Sequence, residues 1–177
     1  MHYLPAMPSD TPAHRLRSAW RTLSRLPGGR RVFGWMIRLL VPYSGSIRPY
    51  VHTLEPGSAT VSIRERRRLR NHLRSVHAIA LANLGELASG LAMTLALPGD
   101  ARGIPVRIEI DYHRKARGTI TAEGRAAPPP AIRSDIEEPA TAVLTDEAGE
   151  VVAEVRVTWR LGPREVDREL RSEIQGR

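Results

Sequence analysis

The chain contains no cysteine among its 177 residues. That excludes a disulfide framework, thiolate metal ligands and cysteine nucleophiles. Lys115 is the only lysine, so the net charge of +8 is an arginine charge. Aromatic residues make up 5% of the chain, with a single phenylalanine. No stacking pattern or known reader motif for nucleic acid accompanies the basic residues. The six histidines, His2, His14, His52, His72, His77 and His113, have no ligand spacing that carboxylates complete. We therefore expect no metal, no cofactor and no nucleic-acid partner. Residues 1–13 lack a charged segment followed by an apolar one, so no signal peptide is visible and a cytoplasmic protein is expected.

Charge is also missing from one long stretch. Between Ala78 and Gly99, Glu86 is the only ionisable side chain. The 23 residues Val76–Pro98 are long enough to suggest a membrane span. Asn83, Glu86 and Ser89 in their middle, and the antiparallel pattern that follows, favour a soluble core helix instead.

What is present alternates. Ile104, Val106, Ile108, Ile110 and Tyr112 interleave with Arg107, Glu109, Asp111 and His113 at period two. Ala153, Val155, Val157, Trp159 and Leu161 do the same against Glu154, Arg156, Thr158 and Arg160. Strands are also expected at ATVSIRER (59–66), TITAEGRA (119–126) and TAVLTD (141–146), the last forming a hairpin across Asp146–Gly149. Pro56-Gly57 marks a turn before the first of them, and the Pro128–Pro130 loop is expected to be exposed. Upstream, HRLRSAWRTLSR and RRVFGWMIRLLV read as two helices broken at Pro27-Gly28-Gly29, with Pro42 as a stop.

The expected class is α+β: a helical extension (1–45), a domain of one long helix against an antiparallel sheet (46–163), and a charged tail (164–177). A helix of 23 residues spans about 34 Å, matching a ten-residue strand at about 33 Å. Trp20, Phe33, Trp35 and Trp159 are expected to be packing residues. The basic N-terminal helices are expected to pack on the domain, with contact to an anionic membrane surface as the alternative.

At about 100° per residue, Leu81, Leu84, Ala88, Leu91 and Leu95 form one stripe of the long helix. Asn83, Glu86, Ser89 and Gly90 fall opposite. Glu86 is then either a solvated residue on an outer face or a carboxylate kept for chemistry. That face also carries Ile79, Ala82 and Met93 and no Lys or Arg, so it is expected to be covered, by a partner subunit. His77 lies nine residues earlier, half a turn out of phase and about 13 Å along the axis. Both residues can serve one site only across a subunit interface.

Residues 71–86, NHLRSVHAIALANLGE, resemble the active-site segment of hotdog-fold thioesterases, most of all the phenylacetate-pathway type of acyl-CoA thioesterase. Asn71, His77 and Glu86 stand at the spacings of that family's Asn, His-Gly-Gly and acidic residue. The segments SVHAIALANLGELASGLA and IPVRIEIDYHRKARG look like a little-characterised branch of the superfamily, and the resemblance covers roughly residues 50–162. It implies a hotdog fold, a homodimer or homotetramer, and hydrolysis of acyl-CoA or acyl-carrier thioesters. Glu86 would act as base or nucleophile. The N–H of Ala78, from the other protomer and beside His77, would polarise the carbonyl. Asn71 would shape the site near the acyl group.

Asn83, Ser89, Tyr112 and His113 are candidate substrate-lining residues. Arg68 and Arg70, in the arginine-rich segment 64–74, are candidates for a phosphate-bearing CoA tail, although a solvated basic loop is the favoured reading. Where the family has Gly-Gly, this chain has Ala78-Ile79. The bulk added there leaves a non-catalytic module, binding an acyl ligand or a protein partner, as the alternative.

Overall fold

In the computed structural model, which describes residues 12–164, the alternating segments pair into one antiparallel six-stranded sheet. Three helices come first: α1 (Pro12–Leu23), α2 (Gly29–Leu40) and the four-residue α3 (Pro42–Gly45). The strands are β1 (Tyr50–Glu55), β2 (Ser58–Arg64), β3 (Ala101–Tyr112), β4 (Thr119–Ala126), β5 (Ile136–Thr145) and β6 (Val151–Pro163). They lie in the order β1-β2-β4-β5-β6-β3, and the long helix α4 (Ala78–Ala96) is inserted between β2 and β3. The expected tail lies outside the described residues from 165 onward.

The sheet wraps α4, and small residues make the fit possible. A Cβ at Gly124 of β4 would overlap the Ala88 carbonyl, and one at Gly85 of α4 would overlap Val155 of β6. Leu81, Leu84, Ala88 and Leu95 are buried, as the leucine stripe implies. So are Ser89, Ala92 and Met93, each 0% exposed, because the sheet curls past the sides of the helix. By length and composition α4 could cross a membrane, but most of its surface is covered by its own sheet and helices.

Three expectations need correction. The first hairpin has an additional strand, β1, ahead of the Pro56-Gly57 turn, with Gly57 at φ 80°. Its pattern is hard to read because a bulge between Val51 and Thr53 puts the buried Val51 and Leu54 three residues apart. Pro42 ends α2 but opens α3, as proline's fixed φ allows at a first helical position.

The third correction concerns the face of α4 opposite the sheet. It is covered by α1–α3 of the same chain. Trp20 and Phe33 meet edge to face at 5.0 Å, and Phe33 and Ile37 are buried. Arg17 Nη2 donates to the Leu95 carbonyl at 2.7 Å, and Asn83 Nδ2 donates to the Tyr43 carbonyl at 3.3 Å. The amphipathic helices supply the apolar cover that the missing charges on α4 require.

Candidate functional site

Glu86 sits at the middle of α4, and one full turn later comes Gly90. The gap left by that glycine is where the site begins. A Cβ at Gly90 would stand 3.3 Å from Cζ2 of Trp159 on β6 and 3.5 Å from Oε1 of Glu86. The carboxylate and the indole edge therefore flank the same small space.

That space opens into a cavity of about 680 Å³ between α4 and the N-terminal helices. Leu16 of α1, Met36, Ile37 and Leu40 of α2, Val41 and Ser44 form one wall; Leu87, Leu91 and Thr94 of α4 form the other. Arg15 also borders it. Among the described residues Glu86 is its only carboxylate. A volume in this range, apolar with a few polar groups, suits a small ligand.

Burial raises the Glu86 pKa above its ordinary value of 4.5, through desolvation alone. No arginine or backbone N–H among the described residues offsets that effect. A carboxylate with a raised pKa in an apolar cavity is the usual situation of a general base. Trp159 adds a donor. It is 7% exposed, and its Nε1–H is buried without a hydrogen-bond partner among the described residues. Leaving such a donor unmade costs about 1–3 kcal/mol. Its place on the inward column of β6 was legible in the sequence; its position beside Glu86 was not, since packing and ligand-facing tryptophans share one pattern.

The other expected residues fall into separate groups. His77 caps α4: its Nδ1 accepts from the Ile79 N–H at 3.1 Å. The Ala78 N–H has no acceptor among the described residues, while the Ala78 carbonyl accepts from Tyr112 Oη at 3.1 Å. Burial raises the pKa of the Tyr112 phenol. Ala78 and Glu86 are eight residues apart, about 12 Å along the axis. Within one chain they do not share a site.

Asn71 organises the approach to the helix. Its Oδ1 accepts from Leu73 N–H (2.9 Å), Ser75 N–H (3.2 Å) and Ser75 Oγ (3.2 Å). The His77 N–H is held by the Leu69 carbonyl at 2.7 Å. So Asn71 shapes the loop that presents Ala78.

Ser89 and Asn83 do not line the cavity. The Ser89 hydroxyl donates back to the Gly85 carbonyl at 2.9 Å and is fully buried. Asn83 lies under α3, with its Oδ1 buried and without a partner among the described residues. Arg70 closes its own loop by pairing with Glu65 at 2.5 Å. Glu65 also accepts from the Gly118 N–H at 2.7 Å, and the two contacts hold its carboxyl below the ordinary range. Arg68 is exposed. His113 is exposed beside Glu154, 3.2 Å away.

Residues 29–161 match the family described as Domain of unknown function (DUF4442). Among solved structures, a structural-genomics protein shares 27% identity over 85% of this chain and 99% of its own, with a TM-score of 0.74. A Pseudomonas aeruginosa protein of unknown function, described as a probable thioesterase, shares 24% identity over 78% of this chain and 97% of its own, at 0.67. Zebra fish thioesterase superfamily member 2 shares 21% over 86% of this chain and 100% of its own, at 0.61. These likenesses establish the fold, a hotdog arrangement of one long helix against an antiparallel sheet. No curated protein matches the sequence.

Proposed function

The chain belongs to the family described as Domain of unknown function (DUF4442), and on that premise we propose that it hydrolyses acyl thioesters with Glu86 as the activating carboxylate. The observation that carries this reading is a desolvated carboxylate, without a charge partner among the described residues, in an apolar cavity of about 680 Å³. The apolar walls suit the acyl chain. Ionised Glu86 takes a proton from water, and the resulting hydroxide adds to the thioester carbonyl. The tetrahedral intermediate collapses, the C–S bond breaks, and the proton held by Glu86 passes to the departing thiolate. Direct attack by the carboxylate would break the C–S bond, expel the thiolate and give a mixed anhydride. Water then cleaves the anhydride to the free acid and the regenerated carboxylate, the released proton going to the thiolate.

The oxyanion donor in this reading is the Ala78 N–H of a second copy. β3 supports that arrangement. It is a twelve-residue edge strand with Ile104, Val106, Ile108 and Tyr112 exposed by 40–53%. An open apolar edge of that length invites another strand. Pairing β3 with its two-fold mate makes a closed, isologous dimer, alone or within a tetramer. The Tyr112–Ala78 contact ties that edge to the start of α4. We accordingly divide the chain into a helical extension (1–45), a hotdog domain (46–163) and a tail (164–177), working in the cytoplasm.

Two experiments test this. Free-thiol release from a series of acyl-CoA esters should be saturable and should favour chains that fill the cavity. Binding without release would favour the non-catalytic alternative, whose support is Ile79, 55% exposed at the start of α4. Ile108→Arg should convert the dimer to a folded, inactive monomer in sedimentation velocity. A native chain that is already monomeric and active would refute the shared site.

A further inference from the structure

The helices that cover Glu86 present a second face of their own. Inward, α2 buries Phe33, Gly34 and Ile37. Outward, Val32, Trp35 and Leu39 recur along one stripe and continue into Tyr43 of α3, with exposures of 51%, 57%, 59% and 69%. Leu40 and Val41 lie beside them at 70% and 46%. Trp35, expected to pack inside, is on the surface. A contiguous exposed apolar face rimmed by polar groups marks an interaction surface.

The segment that carries the stripe has charge of one sign. No acidic residue occurs between Asp10 and Glu55; Arg30, Arg31 and Arg38 are exposed on the same helix as the stripe, and Arg25 and Arg48 are exposed elsewhere in the segment. We propose that the α2–α3 face docks on the surface of an anionic lipid bilayer. Arginine heads suit anionic headgroups, and Trp35 and Tyr43 are the aromatic types that settle at a membrane–water boundary. A second copy on the same face would bring like charges together. A nucleic acid would satisfy the arginines but leave Leu39, Leu40 and Val41 without a partner.

The surface also has a position relative to the site. Leu40 and Val41 belong both to the exposed face and to the wall of the Glu86 cavity. Docking therefore sets the cavity wall against the outer layer of the bilayer, where an acyl chain can pass from lipid to cavity without crossing water. The docking itself does not depend on hydrolysis.

Sedimentation of the full chain with vesicles provides the test. It should co-sediment with mixed phosphatidylcholine–phosphatidylglycerol vesicles, far less with phosphatidylcholine alone, and less as salt is raised. Trp35→Ser with Leu39→Ser should abolish binding. Arg31→Glu with Arg38→Glu should weaken it by at least about fivefold for each basic charge removed. Both pairs are exposed, so thermal unfolding followed by circular dichroism should match the native chain. Glu86→Gln should sediment as the native chain does, which keeps docking separable from catalysis. Failure to bind the mixed vesicles, or binding indifferent to these substitutions, would overturn the proposal. So would dissociation of a lipid-free oligomer by Trp35→Ser with Leu39→Ser, which would assign the face to a second copy.

Discussion

Glu86→Gln abolishes acyl-thioester hydrolysis while making the fold more stable at neutral pH. The activity loss follows from removing the base, which is worth about 10²–10⁴-fold in rate. The gain in stability follows from burial. The Glu86 carboxyl has a raised pKa, caused by desolvation, and no compensating partner among the described residues. Below its ordinary value of 4.5 it is neutral in both folded and unfolded chains, and its favourable contribution is complete. As pH rises, the unfolded chain releases this proton first. That contribution is lost progressively as pH passes through the higher folded value.

Glutamine keeps the shape without the charge, so the variant lacks that decline. Thermal melts across pH should show the two proteins diverging above pH 4.5. Activity of the native protein should rise along an acid limb lying above the ordinary carboxylate range. Full activity in the glutamine variant would remove Glu86 from the mechanism. An unchanged melting profile would mean that its carboxylate is solvated after all.

Gly124→Leu is expected to be the most damaging single substitution in the sheet. The position faces α4 so closely that a Cβ would overlap the Ala88 carbonyl and stand 2.7 Å from the Ser89 nitrogen. Both obstacles are backbone, so no rotamer change relieves them. Overpacking typically costs about 1–3 kcal/mol and occasionally more. Here the helix must lift from β4, and we expect about 3 kcal/mol or more. For a chain of this size that lowers the melting temperature by roughly 6–12 °C. Gly149→Asn is the control. Its φ of 81° is one that asparagine tolerates better than other side chains, at a small cost, and nothing lies within 4 Å of its Cβ position. Urea unfolding should separate the two variants clearly. Equal stability would mean that α4 and β4 are not in close backbone contact.

The parts of the fold that alternate strictly were legible in advance. β3 and β6 lie where period-two patterning put them, and the hairpin between β5 and β6 turns at Asp146, whose Oδ1 accepts from the Ala148 and Glu150 N–H groups. β5 is longer than expected because it starts at Ile136 and runs through Glu137, Glu138 and Pro139, where no apolar alternation marks it. β1 was obscured by its bulge.

The site was partly legible. The isolation of Glu86 in an apolar helix is a property of the sequence, and the cavity agrees with it. Trp35 and Trp159 were indistinguishable as packing residues, yet one faces water and the other lines the cavity. A wheel or a strand pattern assigns a residue to a side of its own element. It does not say what stands opposite that side.

That distinction separates the two sources of information about this protein. The sequence by itself determined the α+β class, the long apolar helix, the antiparallel pattern and the isolation of Glu86. Each depends on local periodicity and composition, which act over a few neighbouring residues. Only the tertiary structure decided that the cover over Glu86 comes from α1–α3 of the same chain. It alone brought Trp159 to the carboxylate across Gly90 and turned a basic, apolar face of α2 outward. These are contacts between residues dozens of positions apart, set by how amphipathic elements stack to bury their apolar faces together.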